Sequence, residues 1–236
     1  MRLSLVITCF NEAPHLRASF EAIKKTFVVN HVDCEFIFVD DKSIDSTKAV
    51  IESIIKENPS LSFKVILHEA NQGRGQSVMD GLRMASAQFV GFLDIDLEID
   101  ARYIAPAVEL LEDGKADFVM ADRLYQFSAA GLIRTIISRG YNLLVRALLR
   151  LPFRDTEAGF KFFNREKILP VLNLVQDRRW FWDTEIVACA FKKGLKIILL
   201  PVVFIRKPEK QSTVKIFRDS WNYFVSLLAF RKRYLS

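Results

Sequence analysis

The stretch that decides the fold of this 236-residue chain is Gly91-Phe92-Leu93-Asp94-Ile95-Asp96-Leu97-Glu98. Its first residues, together with residues 89–90, form an apolar run that is typical of a buried strand. Three carboxylates then follow at every second position. Because side chains alternate along a strand, Asp94, Asp96 and Glu98 are predicted to share one face if the extended backbone continues.

Three like charges on one face repel one another unless a cation lies among them. Mg²⁺ and Mn²⁺ prefer oxygen ligands such as carboxylates, and such an ion usually also binds a substrate diphosphate. The stretch therefore indicates either a divalent metal site or a solvated acidic loop. A D-x-D pair alone is a weak signal, so the surrounding sequence has to decide between the two.

Strands and helices alternate through the first part of the chain. Apolar, β-rich segments predict strands at residues 3–8, 35–39, 63–67 and 89–93. A helical pattern follows each of the first three, and the second and third patterns run to residues 55 and 87. Pro14 marks the first turn of the first helix, and Ser43 or Asp45 is predicted to cap the second. This alternation predicts an α/β fold with a mostly parallel sheet.

A polar cluster follows every one of these strands. Asn11-Glu12 comes after the first strand, Asp40-Asp41 after the second, residues 71–75 (NQGRG) after the third and the acidic stretch after the fourth. Ligands of parallel α/β sheets bind at the carboxyl ends of strands, where these clusters fall. Helix caps and turns account for one or two clusters, but not readily for all of them at one edge. The pattern therefore predicts a binding site there.

Eight motifs in a fixed order resemble the inverting GT-A glycosyltransferases of family 2: TCFNEA, VDDKSIDST, NQGRGQSVMDGL, GFLDIDLE, ADRLY, RTIISRGYN, DTEAGFKFFNRE and FIRKPEKQST. Within that family, they are similar to the dolichol-phosphate mannose synthases and polyprenyl-phosphate glucosyltransferases. Each motif is loose by itself, whereas the ordered set, over roughly residues 3–215, is specific. The resemblance implies a GT-A (Rossmann-like) domain over residues 1–236, with a mostly parallel sheet flanked by helices.

The resemblance also implies an activity. It is the metal-dependent, inverting transfer of a hexose from a nucleotide-sugar, GDP-mannose or UDP-glucose, to a dolichyl or undecaprenyl phosphate, with Mg²⁺ or Mn²⁺ as cofactor. A phosphate monoester is already ionised near neutral pH, since its second pKa is ~6, so this acceptor needs no strong base. Two alternatives stay open: a transferase of the same fold that acts on a sugar or protein hydroxyl, and a non-catalytic nucleotide-binding protein.

Family motifs assign roles to individual residues. The residues implied to bind the nucleotide-sugar are Thr8, Phe10, Glu12, Val39, Asp41, Asp94, Ile95, Asp96 and Arg123. The implied metal ligands are Asp96 and Glu98, where Glu98 stands in place of the Gln that is frequent in the mannose synthases. The implied catalytic residues are Asp96, Arg123, Asp155 and Arg206, and Arg134 and Arg139 are placed at the acceptor phosphate.

Three assignments leave room for alternatives. If the acceptor is a hydroxyl, Asp155 is predicted to remove its proton. If the acceptor is a phosphate, Asp155 is predicted to position the acceptor or the sugar. The loop after Arg206 reads RKPEKQST instead of R-x-x-G-x-S-K, so Lys210 or Lys215 is left to replace the family's lysine. Asp183 and Glu185 either lie near the acceptor or cap the following helix, and for Asp183 the cap is the preferred interpretation.

Two basic amphipathic helices are predicted, over residues 132–151 and 215–235. The apolar stripe of the first consists of Ile133, Ile137, Leu144 and Leu148, and its basic stripe of Arg139, Arg146 and Arg150. The apolar side of the second consists of Phe217, Trp221, Phe224, Val225 and Leu228. Such helices suit an anionic membrane surface, and the formal net charge of +6 agrees with this, although packing on the core is the alternative.

The remaining features concern localisation. No run reaches the ~18–20 apolar residues that a membrane-spanning helix needs. Cys9, Cys34 and Cys189 are few and lie in apolar surroundings, which is typical of reduced core residues in a cytosolic protein. No basic stretch carries a nucleic-acid-reading motif. The sequence thus predicts a cytoplasmic protein that is peripheral on the membrane and does not bind nucleic acid.

Overall fold

The structure is a computed structural model that describes residues 2–30, 33–125, 140, 143–206 and 216–235. Seven strands form one sheet. They are β1 (Leu3–Cys9), β2 (Cys34–Asp40), β3 (Ser62–Leu67), β4 (Phe89–Leu93), β5 (Phe118–Tyr125), β6 (Phe160–Asn164) and β7 (Ile197–Phe204). The spatial order is β3-β2-β1-β4-β6-β5-β7.

Only β6 breaks the parallel arrangement, since it runs antiparallel to both of its neighbours, β4 and β5. The pairs β1–β2, β1–β4, β2–β3 and β5–β7 are parallel. The prediction of a mostly parallel α/β sheet is therefore confirmed. Pro201 lies within β7, where a missing N–H is tolerated because β7 is an edge strand.

Helices cover both faces of this sheet. They are α1 (Ala13–Asn30), α2 (Thr47–Glu57), α3 (Arg74–Met84), α4 (Ile104–Glu112), α5 (residues 143–149), α6 (Arg165–Leu172), α7 (Trp182–Lys192) and α8 (Ile216–Leu235). A short 3₁₀ turn, Ala101–Tyr103, leads into α4.

The strands contribute side chains to two hydrophobic cores, one on each face of the sheet, because successive side chains point to opposite faces. In β2, Phe36 and Phe38 pack with α1, α2 and α4, whereas Ile37 and Val39 pack with α3 and the helices of the later part of the chain. All four side chains are buried. Both faces of the central strands are apolar for this reason, as expected for a parallel sheet covered on both sides.

The first four strands lie within one residue of their predicted bounds, whereas the helix ends differ more. The helix α3 ends at Met84, three residues before the predicted end. The helix α2 begins after Ser46, and neither of the predicted caps occupies the N-cap position. The Asp45 carboxylate nevertheless accepts the Thr47 N–H at 2.9 Å, while Ser43 bonds to Asp40.

Two loops at the carboxyl edge of the sheet are locked together. The Asn11 N–H donates to Ser43 Oγ at 2.9 Å, and the Glu12 N–H donates to Thr47 Oγ1 at 2.8 Å. Asn11 itself has a left-handed backbone with φ of 56°, a conformation that Asn tolerates better than most residues. These bonds fix the loops after β1 and β2, so the polar residues there share one rigid edge.

Candidate active site

A small cavity of about 50 Å³ lies at the carboxyl end of β4. Its lining consists of Asp94, Asp96, Glu98, Ile99, Arg123, Gly159 and Phe204. These residues come from four separate parts of the chain: the loop after β4, the strand β5, the residue before β6 and the end of β7. The structure thus brings the three carboxylates of the acidic stretch together with one arginine predicted to face the donor.

The carboxylates converge through a turn, because the extended backbone on which a shared strand face depends does not continue past Leu93. The strand ends at Leu93, and the Leu97 N–H donates to the Asp94 carbonyl at 3.1 Å. Leu97 has a left-handed backbone with φ of 51°. The Glu98 N–H then donates to Asp96 Oδ1 at 3.2 Å. The turn keeps all three side chains on the cavity without a run of extended backbone.

A chain of alternating charges anchors Asp94. Arg74, the first residue of α3, donates from Nε and Nη2 to Asp94 Oδ1 at 3.1 and 2.7 Å. Its Nη1 pairs with Asp183 in the first turn of α7. The other Asp183 oxygen accepts from Lys161 Nζ of β6 at 2.6 Å. This charge chain, Asp94–Arg74–Asp183–Lys161, therefore joins four elements beneath the cavity.

Three members of the charge chain, Arg74, Asp183 and Lys161, are largely shielded from water, whereas the Asp94 side chain is 42% exposed. Lys161 has no exposed surface, and burial lowers the pKa of its ammonium, while the Asp183 carboxylate acts in the opposite direction. Lys161 also donates to the Ala158 carbonyl at 2.6 Å, and its ammonium lies 5.5 Å from the centre of the Phe92 ring. Buried charges need such partners, because an unpaired charge is costly to bury. Asp183 is thus a member of the charge chain. The prediction that its carboxylate caps the following helix is wrong.

Gly159 is required for the position of Asp94. The Asp94 N–H donates to the Gly159 carbonyl at 2.8 Å. A Cβ at residue 159 would lie only 1.8 Å from Asp94 Oδ2. Since real Cβ atoms do not approach this closely, any other residue here would displace the carboxylate from its pairing with Arg74.

Arg123 and Asp155 form a bidentate pair. The Arg123 Nη2 atom lies 2.9 Å from Asp155 Oδ1, and Nε bonds to the other oxygen. The guanidinium also lies 5.3 Å from the centre of the Phe204 ring. Two parallel hydrogen bonds fix the plane of a guanidinium, so Asp155 orients Arg123 at the edge of the cavity. Both residues were predicted as site residues, but their pairing was not.

Glu157 follows two residues later and is only partly exposed. Burial raises the pKa of its carboxyl to about 7; Arg123 opposes this shift, whereas Asp155 and Asp183 add to it. Among the described residues, no group donates a hydrogen bond to the Glu157 carboxyl. The side chain is thus a protonatable group beside two members of the site.

The end of β7 is tied to the acidic stretch. The Ile205 N–H donates to the Glu98 carbonyl at 2.9 Å, and Ile99 forms an isolated bridge with Phe204. Arg206 follows directly and is exposed. The loop that begins at Arg206 therefore leaves the sheet next to the cavity. The predicted residues Arg134, Arg139, Lys210 and Lys215 lie outside the described residues.

The residues predicted to bind the nucleoside lie along the neighbouring edge. Thr8 and Glu12 are partly exposed, and Phe10 is 44% exposed. Val39 and Ile95 are buried in the two cores, so only their backbone atoms can reach a nucleotide.

Asp41 is buried, and its carboxylate is engaged by the protein. It accepts the Gln72 and Gly73 N–H groups at 2.7 and 2.9 Å, and His68 Nδ1 lies 2.8 Å from its Oδ1. Asp41 thus holds the NQGRG turn in place. Its contact with a base or ribose stays a prediction.

The donor atoms of the cavity suit a hard divalent cation, since Asp96 and Glu98 supply carboxylate oxygens. In the part of the chain that the structure describes, however, no three His, Cys, Asp or Glu side chains are grouped tightly enough to hold a metal alone. The residues therefore fit an ion that takes further oxygen ligands from another source, and a bound diphosphate is a chemically suitable one.

Sequence reasoning assigned no role to Arg74, Glu157, Gly159 or Lys161. The signal was present, because Arg74 lies in the NQGRG motif and the other three lie in DTEAGFKFFNRE. Their roles depend on which side chains meet across α3, β6 and α7, and a sequence motif does not carry that information.

We expect Arg74→Met to destabilise the protein by about 3 kcal/mol, because it leaves Asp183 with only one cationic partner and removes the partner of Asp94. The free energy of unfolding from urea titration measures this change. Arg83→Met is the matched control on the same helix: its ion pair with Asp80 is exposed, so the loss should stay below about 1 kcal/mol. Equal losses in the two variants would contradict a stabilising charge chain.

Residues 4–169 match the family model described as Glycosyl transferase family 2. In sequence, the chain is similar to Glycosyltransferase AglD of Haloferax volcanii, with 28% identity over 226 residues, 93% of this chain and 35% of the relative. It is also similar to the Dolichyl-phosphate beta-glucosyltransferase of Dictyostelium discoideum, with 26% identity over 211 residues, 83% of this chain and 64% of the relative. The chain thus spans about a third of the first relative and just under two thirds of the second.

Two solved structures share the fold. One is the mannosyltransferase PcManGT from Pyrobaculum calidifontis in complex with GDP-Man and Mn²⁺, with a TM-score of 0.69, 18% identity and coverage of 98% of this chain and 64% of that one. The other is glucosyl-3-phosphoglycerate synthase from Mycobacterium tuberculosis with Mn²⁺, UDP-glucose and phosphoglyceric acid, with a TM-score of 0.73, 18% identity and coverage of 98% and 80%. Since the family model covers more than half of the sequence, the chain belongs to glycosyl transferase family 2.

Proposed function

We propose that this protein transfers a hexose, with inversion, from a nucleotide-sugar to a polyprenyl phosphate at a membrane surface. The observation that carries the proposal is the cavity at which Asp94, Asp96, Glu98 and Arg123 converge. Names of sequence relatives support the acceptor class and favour glucose, since two are called Dolichyl-phosphate beta-glucosyltransferase.

The cavity suits a nucleotide-sugar donor on electrostatic grounds. Asp96 and Glu98 would hold Mg²⁺ or Mn²⁺ together with the donor diphosphate, and the bound ion supplies positive charge toward the leaving nucleoside diphosphate. Arg123, oriented by Asp155, adds a fixed positive charge at the same edge. Arg206, which is exposed just beyond the end of β7, would add another.

The pairing of Asp155 supports a phosphate acceptor over a hydroxyl acceptor. A hydroxyl nucleophile needs a general base within hydrogen-bonding reach. Both Asp155 oxygens already bond to Arg123, and Oδ1 also accepts the Glu157 N–H at 3.1 Å. A phosphate acceptor carries its own negative charge near neutral pH, so positioning and positive charge suffice.

Exposed apolar side chains on α8 support a membrane contact. One side of the helix, through Leu227 and Phe230, packs into the core. The stripe predicted from the sequence instead faces outward: Trp221 is 66% exposed, and the exposed set continues with Phe224, Val225 and Leu228. An exposed apolar stripe with a Trp next to basic residues suits the interface of an anionic bilayer.

The α5 region adds a second exposed surface of the same character. An open groove of about 460 Å³ is lined by Leu143, Arg146, Ala147, Arg150, Leu151, Pro152 and Phe191. Its two arginines are exposed beside apolar walls. Within the described ranges, no helix is both long enough and apolar enough to span a bilayer. The exposed surfaces of α5 and α8 make peripheral binding part of the proposal.

We expect Asp96→Ala to lower glycolipid formation by orders of magnitude, because it removes a proposed metal ligand. The fold should persist, since removing one of several neighbouring carboxylates relieves repulsion. Transfer from UDP-glucose or GDP-mannose to polyprenyl phosphate, with Mn²⁺ or Mg²⁺, measures the activity, and thermal unfolding measures the fold. Asp113→Ala, exposed at the end of α4, is the control. Full activity of the wild type in excess chelator would contradict the metal assignment.

The acceptor class is tested by comparing Arg206 with Asp155. We expect Arg206→Ala and Arg134→Ala each to reduce transfer by about tenfold, because each removes a charged hydrogen-bond donor from an anionic substrate. We expect Asp155→Asn to keep part of its activity, since the amide oxygen still accepts from Arg123. Steady-state kinetics with polyprenyl phosphate give both results, with the exposed Arg17→Ala as control. If Asp155→Asn were inactive while the arginine variants kept wild-type transfer activity, the result would instead indicate a hydroxyl acceptor.

We expect the protein to bind anionic liposomes, and the binding to weaken with salt because exposed charges are screened over ~8–10 Å. Trp221→Ser with Leu228→Ser should reduce the bound fraction in sedimentation, as should charge reversal at Arg146 and Arg150. Val28→Ser with Val29→Ser is the control, because these valines are at least as exposed as Trp221 and Leu228 but lie on α1. Wild-type protein that stays in the supernatant at low salt would rule out this contact.

A further inference from the structure

The groove between α5 and the end of α7 has apolar walls that the core holds in place. Leu151 is buried in the core, and the Phe191 ring, 39% exposed, packs edge-on against Phe153 with the ring centres 5.5 Å apart. Leu143 is 66% exposed. The groove volume of about 460 Å³ lies within the range of roughly 300–1,000 Å³ that is typical of small-molecule sites. The groove is thus a formed, open site that leaves apolar surface in contact with water.

Two arginines line this groove without a partner. Arg146 and Arg150 are exposed, and neither forms an ion pair or a hydrogen bond with another residue that the structure describes. The arginines of the active site differ, since carboxylates hold both Arg74 and Arg123. Among the described residues that line the groove there is no carboxylate. Like charges four residues apart repel each other, so an anion that both guanidinium groups can bind is favoured here.

The backbone at Arg150 adds to this picture. Arg150 follows the end of α5 and has a left-handed backbone with φ of 54°, at a position where helices usually have Gly. The chain turns there, so Leu151 enters the core while Arg150 stays exposed on the groove. A long cationic side chain therefore occupies a position that local backbone preference gives to Gly.

The groove lies too far from the cavity to hold the acceptor phosphate during transfer. Asp183, a member of the charge chain, is in the first turn of α7, and Phe191 lies about two turns later on the same helix. A helix rises 1.5 Å per residue, so roughly 12 Å of α7 separates the two. An anion in the groove thus stays away from the reacting atoms, and the groove needs an occupant other than the acceptor.

We propose that the groove binds one anionic glycerophospholipid of the bilayer. Its phosphate is held by Arg146 and Arg150, and part of an acyl chain lies along the apolar wall that includes Phe191. The lining matches an amphiphile, because guanidinium groups bind phosphate oxygens in pairs and the walls offer apolar surface beside them. The inference rests on the proposed membrane contact and adds to it a discrete lipid site, in place of a general attraction to an anionic surface.

Dihexanoyl phosphatidylglycerol, used below its critical micelle concentration, tests the site without a bilayer. Amide NMR titration of the labelled wild type should give saturable shifts on α5 and at the end of α7. Dihexanoyl phosphatidylcholine has the same chains and a phosphate but no net charge, so we expect its Kd to be about tenfold higher. Inorganic phosphate lacks the chains and should bind more weakly than phosphatidylglycerol.

Two variants separate the charge of the groove from its shape. Arg146→Gln with Arg150→Gln should raise the Kd for phosphatidylglycerol about tenfold, because both charged donors are lost. Ala147→Trp keeps both arginines and fills the groove from an exposed position, so it should weaken binding of both lipids. Arg178→Gln with Arg179→Gln is the control: it removes the same charge from exposed arginines outside the groove lining and should leave the Kd unchanged.

Shifts that do not saturate, or that lie elsewhere on the surface, overturn the inference. So does an Ala147→Trp variant that binds both lipids as tightly as the wild type. Inorganic phosphate that binds as tightly as the lipid overturns it too, and identifies a free-phosphate site. Wild type that binds anionic liposomes but not the soluble lipid loses this site and keeps the proposed membrane contact, whereas binding to neither overturns both.

Discussion

The charge chain Asp94–Arg74–Asp183–Lys161 is the constraint on which the site depends. It connects β4, α3, α7 and β6, so it fixes the first carboxylate of the acidic stretch relative to both halves of the sheet. Desolvated charges are costly unless each has a partner, which makes the buried members Arg74, Asp183 and Lys161 interdependent. The same constraint explains the packing around Gly159, where only a hydrogen fits beside the Asp94 carboxylate.

A second rigid unit, the pair of Arg123 and Asp155, meets the charge chain at the cavity. The antiparallel strand β6 makes this meeting possible, because it lies between β4 and β5 and brings the DTEAGF segment to the same edge. Each cationic group is paired with a carboxylate, and further carboxylates line the cavity. This arrangement suits the proposed substrate pair, in which two anions, a diphosphate and a phosphate, must approach each other, so that positive charge matters more than a base.

Sequence patterns predicted the strands that local residue preferences determine. They failed for features that depend on tertiary contacts. Strands β1–β4 lie within a residue of their predicted bounds because apolar runs and turn residues mark them directly. The extended backbone that would have put Asp94, Asp96 and Glu98 on one strand face does not continue, because Leu97 adopts a left-handed turn that no residue preference predicts. The amphipathic pattern of α8 was visible in the sequence, but the helix has two apolar sides, and either could pack on the core. Only the structure shows that Leu227 rather than Trp221 faces the core.

By itself, the sequence determined the α/β class and the edge of the sheet where polar residues gather, and it predicted one site for Asp94, Asp96, Glu98 and Arg123, which line one cavity in the structure. Alternation and motif order are properties of the chain, so they can be read without coordinates. Only the tertiary structure decided the partners: Arg74 for Asp94, and Asp155 for Arg123. Partner choice depends on distances between segments that lie up to about a hundred residues apart, and on how far each pair is shielded from water, and neither quantity is encoded in local sequence spacing.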